Sequence, residues 1–174
     1  MCCVIGYTGH DISAYKFKEY LMRTVSRIND ATMEKAAAYV KAGTTEKQVA
    51  SFIEAGYLAA GCSGPSFSTI VSFGAHASDP HHEPDDTVVQ PGDCVLIDMG
   101  CCKDRYCSDM TRTFYFQSAD PEQTAIHDLV RQANEAAEAL IRPGVPLCEL
   151  DAAARTLIAE AGYGDYFTHR LGHF

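Results

Sequence analysis

Apolar residues near the start of the chain recur at steps of three and four, which is the period of an amphipathic helix. The first such run covers residues 21–42 and ends at Gly43. Thr45 and Gln48 have the spacing of a capping box and predict the start of a second helix. Residues 1–20 show no clear pattern, and we expect them to be a leader or the remnant of a linker.

The last third of the sequence predicts two more helices. Asp120-Pro121 has the residue types of a helix start, and a later helix ends at Gly162. Residues 166–174 are rich in β-forming side chains, so we expect a strand there.

Three strands are predicted in the middle of the chain, at residues 67–73, 94–99 and 109–116. Because side chains alternate along a strand, Asp98 shares a face of its strand with Cys94 and Leu96. By the same rule, Asp109 shares a face of the next strand with Thr111, Thr113 and Tyr115.

Composition narrows the class of protein. A chain of 174 residues is long enough for one domain with a real core. Its formal net charge of −9 argues against general binding to nucleic acid, which needs a basic surface. No apolar run reaches the roughly 20 residues of a membrane span, and no signal peptide is recognisable. The eight cysteines include no C-x-x-C pair, so we expect free thiols in a cytoplasmic protein rather than a soft-metal site.

Asp98 and Asp109 are the most informative candidates for chemistry. Either residue alone would fit a strand-terminal turn or an exposed strand position. Aspartate is depleted in strands, however, and both residues have apolar or β-branched neighbours. Two carboxylates on neighbouring strands suit a hard divalent cation, which prefers oxygen ligands. We therefore predict that they share a cation.

The histidines are less specific. His76, His81 and His82 lie in a loop-like segment, where histidines are usually solvated, although Pro80 and Pro84 restrict the backbone on both sides of His81 and His82. His169 and His173 have a spacing that zinc ligands use on helices. The zinc metalloprotease pattern requires Glu after the first His, and Arg170 occupies that position, so that motif is excluded.

Four segments carry a family resemblance. The sequence resembles the Xaa-Pro peptidases, prolidase and aminopeptidase P, of the pita-bread metallopeptidase superfamily, over roughly residues 25–174. Methionine aminopeptidases are more distant relatives. The segments occur in family order and at family-like spacing: residues 80–84 (PHHEP), 92–100 (GDCVLIDMG), 108–114 (SDMTRTF) and 168–173 (THRLGH).

The resemblance implies roles for five residues. Asp98, Asp109 and His173 match metal ligands of a two-metal centre, in which the position of Asp109 bridges both ions. His81 matches a histidine that contacts substrate and helps to move protons, and His169 matches a pocket histidine. The implied cofactors are two divalent ions, with Mn²⁺ expected first and Co²⁺, Zn²⁺ or Fe²⁺ as alternatives.

The resemblance also implies a fold and a reaction. The fold would be α/β, a partial pita-bread fold with helices on one face of a curved, mainly antiparallel sheet. The reaction would be hydrolysis of N-terminal Xaa-Pro bonds by a hydroxide that bridges two metal ions. Alternatives from the same superfamily are a non-catalytic binding protein and an enzyme that cleaves another small C–N substrate.

The matched region implies an incomplete catalytic domain. Residues 21–174 correspond to the N-terminal part of such a domain, and two glutamate ligands of the family fall beyond His173. We therefore expect the isolated chain to bind metal weakly and to have little peptidase activity. Expected partners are short peptides with proline at the second position, with no nucleic acid or membrane. An exposed sheet edge would favour a homo-oligomer.

Overall fold

The computed structural model describes residues 12–172 of the chain. Its helices are α1 (Ile12–Tyr39), α2 (Glu46–Ala59), α3 (Pro121–Glu138) and α4 (Leu147–Glu160). Its strands are β1 (Gly64–Pro65), β2 (Ile70–Phe73), β3 (Cys94–Met99), β4 (Cys101–Lys103), β5 (Tyr106–Cys107) and β6 (Met110–Tyr115). Short 3-10 helices occur at Gly74–Ser78 and Gly164–Tyr166. The contacts divide into two compact units, Met1–Ala119 and Asp120–Phe174.

The predicted helix starts are largely confirmed. Thr45 and Gln48 form the capping box at the start of α2, with the Gln48 amide 3.3 Å from Thr45 Oγ1. Asp120 caps α3 by accepting a hydrogen bond from the Glu122 amide at 2.8 Å. The first helix differs from the prediction, because α1 begins at Ile12 and includes residues expected to be a leader. No helix between residues 12 and 172 is long and apolar enough to cross a membrane.

The sheet that carries the predicted acids has the strand order β2-β3-β6, and both pairings are antiparallel. The prediction for β3 is confirmed at both ends, whereas β2 begins three residues later than expected. β6 is shorter by one residue at each end, so Asp109 directly precedes it. A second small sheet pairs β1, β4 and β5.

One face of the β2-β3-β6 sheet is packed and the other is more open. Val95, Ile97 and Met99 of β3 are completely buried in a core that includes residues of α1 and α2. The alternate residues of β3, including Asp98, are only partly buried. Helices therefore cover one face of an antiparallel sheet, as the resemblance implied. The open face carries Asp98.

The second unit is built from α3 and α4, whose buried side chains include Ala133 and Ala154. The strand predicted for residues 166–174 is wrong over its described part, because residues 167–172 contain no strand. Instead, the guanidinium of Arg155 lies 4.4 Å from the ring centroid of Phe167 and donates to the carbonyl oxygens of Phe167 and His169. Phe167 of the tail thus packs against α4 rather than pairing in a sheet.

Candidate active site

Asp98 lies near the end of β3 and is held by the neighbouring strand. It is paired with Ile70 of β2 and with Thr111 of β6. The Thr111 hydroxyl donates a hydrogen bond to Asp98 Oδ1 at 2.8 Å. This bond orients the carboxylate on the open face of the sheet. A carboxylate oriented in this way has the donor chemistry and fixed direction that a divalent cation requires.

The register brings Asp109 towards Asp98. Asp98 lies directly opposite Thr111. The side chains that alternate with Asp98 on β3 and those that alternate with Thr111 on β6 therefore share one face of the sheet. Asp109 precedes Thr111 by two residues and lies just before β6, so if the strand alternation continues to it, Asp109 would be a diagonal neighbour of Asp98 on that face. Such neighbours have Cα atoms roughly 7–8 Å apart, within which carboxylates can converge on a common ion. Asp109 is exposed at this edge.

A tight backbone crossing next to Asp109 fixes its position. A Cβ atom added to Gly100 would collide with the carbonyl oxygen of Ser108 and with Ser66 Oγ. The Ser66 hydroxyl donates to that same carbonyl at 2.7 Å, and the amide of Cys101 donates to Ser108 Oγ at 2.9 Å. Gly100 is therefore required by space at the point where the chain passes from β3 towards β4.

His81 lies on the surface of the same unit. Its side chain is exposed, and its amide donates to Asp79 Oδ1 at 2.9 Å. The adjacent His82 is more buried, and its Nε2 lies 2.7 Å from Glu46 Oε2. The two neighbouring histidines thus differ in exposure: one imidazole is open to solvent, and the other is held by a buried acid.

Glu46 is a site residue that the sequence analysis missed. Its side chain is 0% exposed, and it belongs to the only group of three or more metal-ligating side chains within 4.8 Å of one another found in residues 12–172. The other members are His76, His82 and Asp85. This group could hold a metal ion, so the structure offers a candidate site besides the predicted aspartates.

The hydrogen bonds in this group shift two pKa values. The hydrogen bond from the His76 ring to Glu46 raises the pKa of His76 above its usual 6.5, against a smaller lowering by desolvation. Hydrogen bonds from the Thr87 side chain and backbone lower the pKa of Asp85 to about 2. The segment that carries His81 is therefore flanked by groups with altered proton affinity.

The remaining predicted site residues belong to the second unit or lie outside the described part. His169 is exposed, and its Nδ1 is 2.8 Å from the carbonyl oxygen of Arg170. His173 lies outside the described residues. The strand register is compatible with a shared site for Asp98 and Asp109, and the assignments of Asp98, Asp109, His169 and His173 remain predictions.

The family of the chain follows from comparison with known proteins. The Peptidase_M24 profile, metallopeptidase family M24, matches residues 20–174. The chain belongs to metallopeptidase family M24. The predicted family resemblance is thereby confirmed.

Solved structures of similar proteins support the fold. The prolidase from Pyrococcus furiosus superposes with a TM-score of 0.88 and 35% identity, covering 91% of this chain and 47% of that chain. The Xaa-Pro dipeptidase from Bacillus anthracis has a TM-score of 0.84 and 32% identity, covering 87% of this chain and 43% of that chain. These neighbours confirm the pita-bread assignment over the part of the fold that is present.

Among curated proteins, YkvY of Bacillus subtilis (strain 168), which is provisionally named a dipeptidase, is 42% identical over 153 residues. The match covers 88% of this chain and 42% of that protein. The chain thus spans less than half the length of the curated relatives that it matches.

Proposed function

We propose that the protein is a metal-dependent peptidase that hydrolyses N-terminal Xaa-Pro bonds. The observation that supports the proposal is the pairing of Asp98 with Thr111, because Asp109 precedes Thr111 by two residues and would follow Thr111 onto the face that carries Asp98. The family supplies the reaction class, and the neighbours named prolidase and Xaa-Pro dipeptidase supply the substrate class.

The proposed ligands are Asp98, Asp109 and His173, and the oxygen donors of the first two fit a hard cation such as Mn²⁺. When bound, two divalent ions would supply a Lewis acid for the scissile carbonyl and lower the pKa of a water molecule towards neutrality. The chain's part is to fix the direction of the carboxylates, which the Thr111 hydroxyl does for Asp98.

Two histidines are assigned to substrate in this proposal. The ring nitrogens of an imidazole can donate or accept, so the exposed His81 can hydrogen-bond the peptide and carry a proton at the scissile bond. His169 would line the substrate pocket. We further propose a cytoplasmic location and a homo-oligomer. Light scattering would test the oligomeric state by measuring the molar mass of the protein.

The experiment compares two aspartate variants of the protein encoded by the complete gene. Asp109→Asn removes a proposed ligand charge, whereas Asp104→Asn makes the same change in the turn between β4 and β5. Asp104 is an exposed residue with φ of 53°, a conformation that asparagine also tolerates, so it is a matched control.

With Mn²⁺ present, we expect Asp109→Asn to slow hydrolysis of an Ala-Pro dipeptide by more than about 100-fold, since partners outside the ligand shell already cost 10–100-fold. Asp104→Asn should retain wild-type activity. Activity of Asp109→Asn equal to that of the control, or no hydrolysis of Xaa-Pro substrates by the wild-type protein, would refute the proposal.

A further inference from the structure

Glu46 is a completely buried carboxylate in the first turn of α2. Its Oε1 accepts a hydrogen bond from the Phe73 amide at 2.8 Å and lies 3.0 Å from His76 Nδ1. Its Oε2 lies 2.7 Å from His82 Nε2 and accepts from the Asp85 amide at 3.1 Å. A carboxylate withdrawn from water is tolerated only when its oxygens are bonded, and here each oxygen has two partners.

All four partners belong to one stretch of chain, residues 73–85, which we call the histidine segment. Backbone bonds from α2 strengthen the same attachment: the Glu46 amide donates to the Thr87 carbonyl at 3.2 Å, and the Lys47 amide donates to the Asp85 carbonyl at 3.0 Å. His81 lies inside the histidine segment, next to His82. One buried side chain therefore ties the beginning, middle and end of the segment that presents the exposed His81.

The distances favour a hydrogen-bonded clamp over a bound metal ion in this group. The 2.7 Å between His82 Nε2 and Glu46 Oε2 is typical of a charge-assisted hydrogen bond. Two ligands of a tetrahedral zinc ion with bonds of roughly 2.1 Å would be separated by about 3.4 Å. For both imidazoles to donate, His76 must carry its proton on Nδ1 and His82 on Nε2. Their ring centroids are 4.1 Å apart, so each ring also limits the rotation of the other.

We propose that Glu46 is a positioning residue that sets the conformation of the histidine segment and thereby the placement of His81. The catalytic consequence rests on the function proposed above for His81, whereas the clamp itself does not. Among the described residues, the side-chain hydrogen bonds of Glu46 go to the histidine segment and not to Asp98, Asp109 or the imidazole of His81. Its effect would pass through the backbone on both sides of that residue.

The first test uses Glu46→Gln in the protein encoded by the complete gene, with Glu54→Gln as the matched control. Glu54 is an exposed residue of the same helix, so the control makes the same chemical change without touching the clamp. A glutamine amide cannot accept from four donors, since its nitrogen only donates. We expect amide hydrogen exchange in the histidine segment to accelerate by about tenfold or more in Glu46→Gln, because hydrogen bonds to charged groups are among the stronger ones.

The exchange rates of the β3 amides should stay within about twofold of wild type. Long-range ¹⁵N spectra should show that His76 and His82 lose their fixed tautomers in Glu46→Gln and keep them in Glu54→Gln. If Glu46→Gln fails to fold, His82→Phe, which keeps a ring but removes the Nε2 donor, should give a smaller acceleration confined to the same segment. Unchanged exchange in the histidine segment, or an equal acceleration in β3, would overturn the proposal.

The second test separates positioning from metal binding in the protein encoded by the complete gene. We expect Glu46→Gln to lower kcat for an Ala-Pro dipeptide by about tenfold while its affinity for Mn²⁺ stays at the wild-type value. An unchanged kcat, or an equal loss of Mn²⁺ affinity, would contradict the positioning role. If the wild-type protein does not hydrolyse the dipeptide, the proposed function fails, and the exchange experiment still decides whether the clamp exists.

Discussion

Gly100→Ala tests the crossing that fixes Asp109. The glycine has no room for a methyl group, because an added Cβ would overlap the Ser108 carbonyl oxygen and would lie 2.9 Å from Phe67 Cε1. A new rotamer cannot relieve the overlap with Ser108, since the obstructing atom belongs to the backbone. The chain at Ser108 must therefore move away from Gly100, and Asp109 must move with it.

The expected fall in the free energy of unfolding of Gly100→Ala can be estimated from the packing and hydrogen bonds at this crossing. Overpacking of a filled site costs about 1–3 kcal/mol. The shift also strains the bond from Ser66 Oγ to the Ser108 carbonyl at 2.7 Å and the bond from the Ser66 amide to the Gly100 carbonyl at 2.9 Å. Each such bond contributes about 1 kcal/mol. We expect the free energy of unfolding to fall by roughly 3–5 kcal/mol in total if both bonds are lost.

Urea unfolding measures this loss, with Gly43→Ala as the control. Gly43 has φ of +88° and no atom within 4 Å of an added Cβ, so alanine there meets conformational strain without a collision. That strain costs roughly 1–2 kcal/mol. Gly100→Ala should be the more damaging variant and should also weaken Mn²⁺ binding, which Gly43→Ala should leave unchanged. A Gly100→Ala chain as stable as wild type would refute the account of the crossing.

Three further predictions concern other contacts. Thr111→Val keeps the shape of the side chain but removes the donor to Asp98, so Mn²⁺ affinity measured by calorimetry should fall 10–100-fold; an unchanged affinity would argue against Asp98 as a ligand. Tyr57→Phe leaves the buried Asn29 side-chain oxygen without the hydroxyl that donates to it, so the free energy of unfolding measured in urea should fall by about 1–3 kcal/mol. A fall of less than about 0.5 kcal/mol would contradict this role of the Tyr57 hydroxyl. Because folding lowers the pKa of Asp85 from 3.8 to about 2, its stabilising contribution should be present above pH 3.8 and lost as the pH falls towards 2. Asp85→Asn should reduce this loss of unfolding free energy at acid pH. An unchanged pH dependence in Asp85→Asn would rule out Asp85 as the cause of the loss.

Local sequence signals predicted much of the fold. The capping box of α2 and the Asp120 start of α3 depend on residues three positions apart, so their chemistry is visible in the sequence. The β3 strand was predicted at both ends because its apolar run is bounded by turn residues. By contrast, the aromatic tail predicted a strand, but Phe167 packs against Arg155 instead. β-propensity reflects packing on any half-buried surface and does not specify a partner.

The candidate site was predictable only in part. The alternation of side chains predicts which residues share a face within one strand, but it does not relate the strand of Asp98 to the strand that follows Asp109. That relation comes from the register, in which Asp98 lies opposite Thr111. Glu46 was missed because an acid in the first turn of a helix is ordinarily a solvated residue. Its partners His76 and His82 are 30 and 36 positions away in the sequence, so the clamp exists only in the folded chain. The histidines on both sides of Pro80 were the one local sequence signal that indicated a possible site near Glu46.

The central claim is that Asp98 and Asp109 bind the same divalent ion. A crystal structure of the protein encoded by the complete gene, soaked in Mn²⁺ and recorded at the manganese absorption edge, tests it directly. We predict an anomalous peak within about 2.0–2.4 Å of an oxygen of each carboxylate. A peak at the Glu46 group alone, or none near either aspartate at saturating Mn²⁺, would contradict the claim.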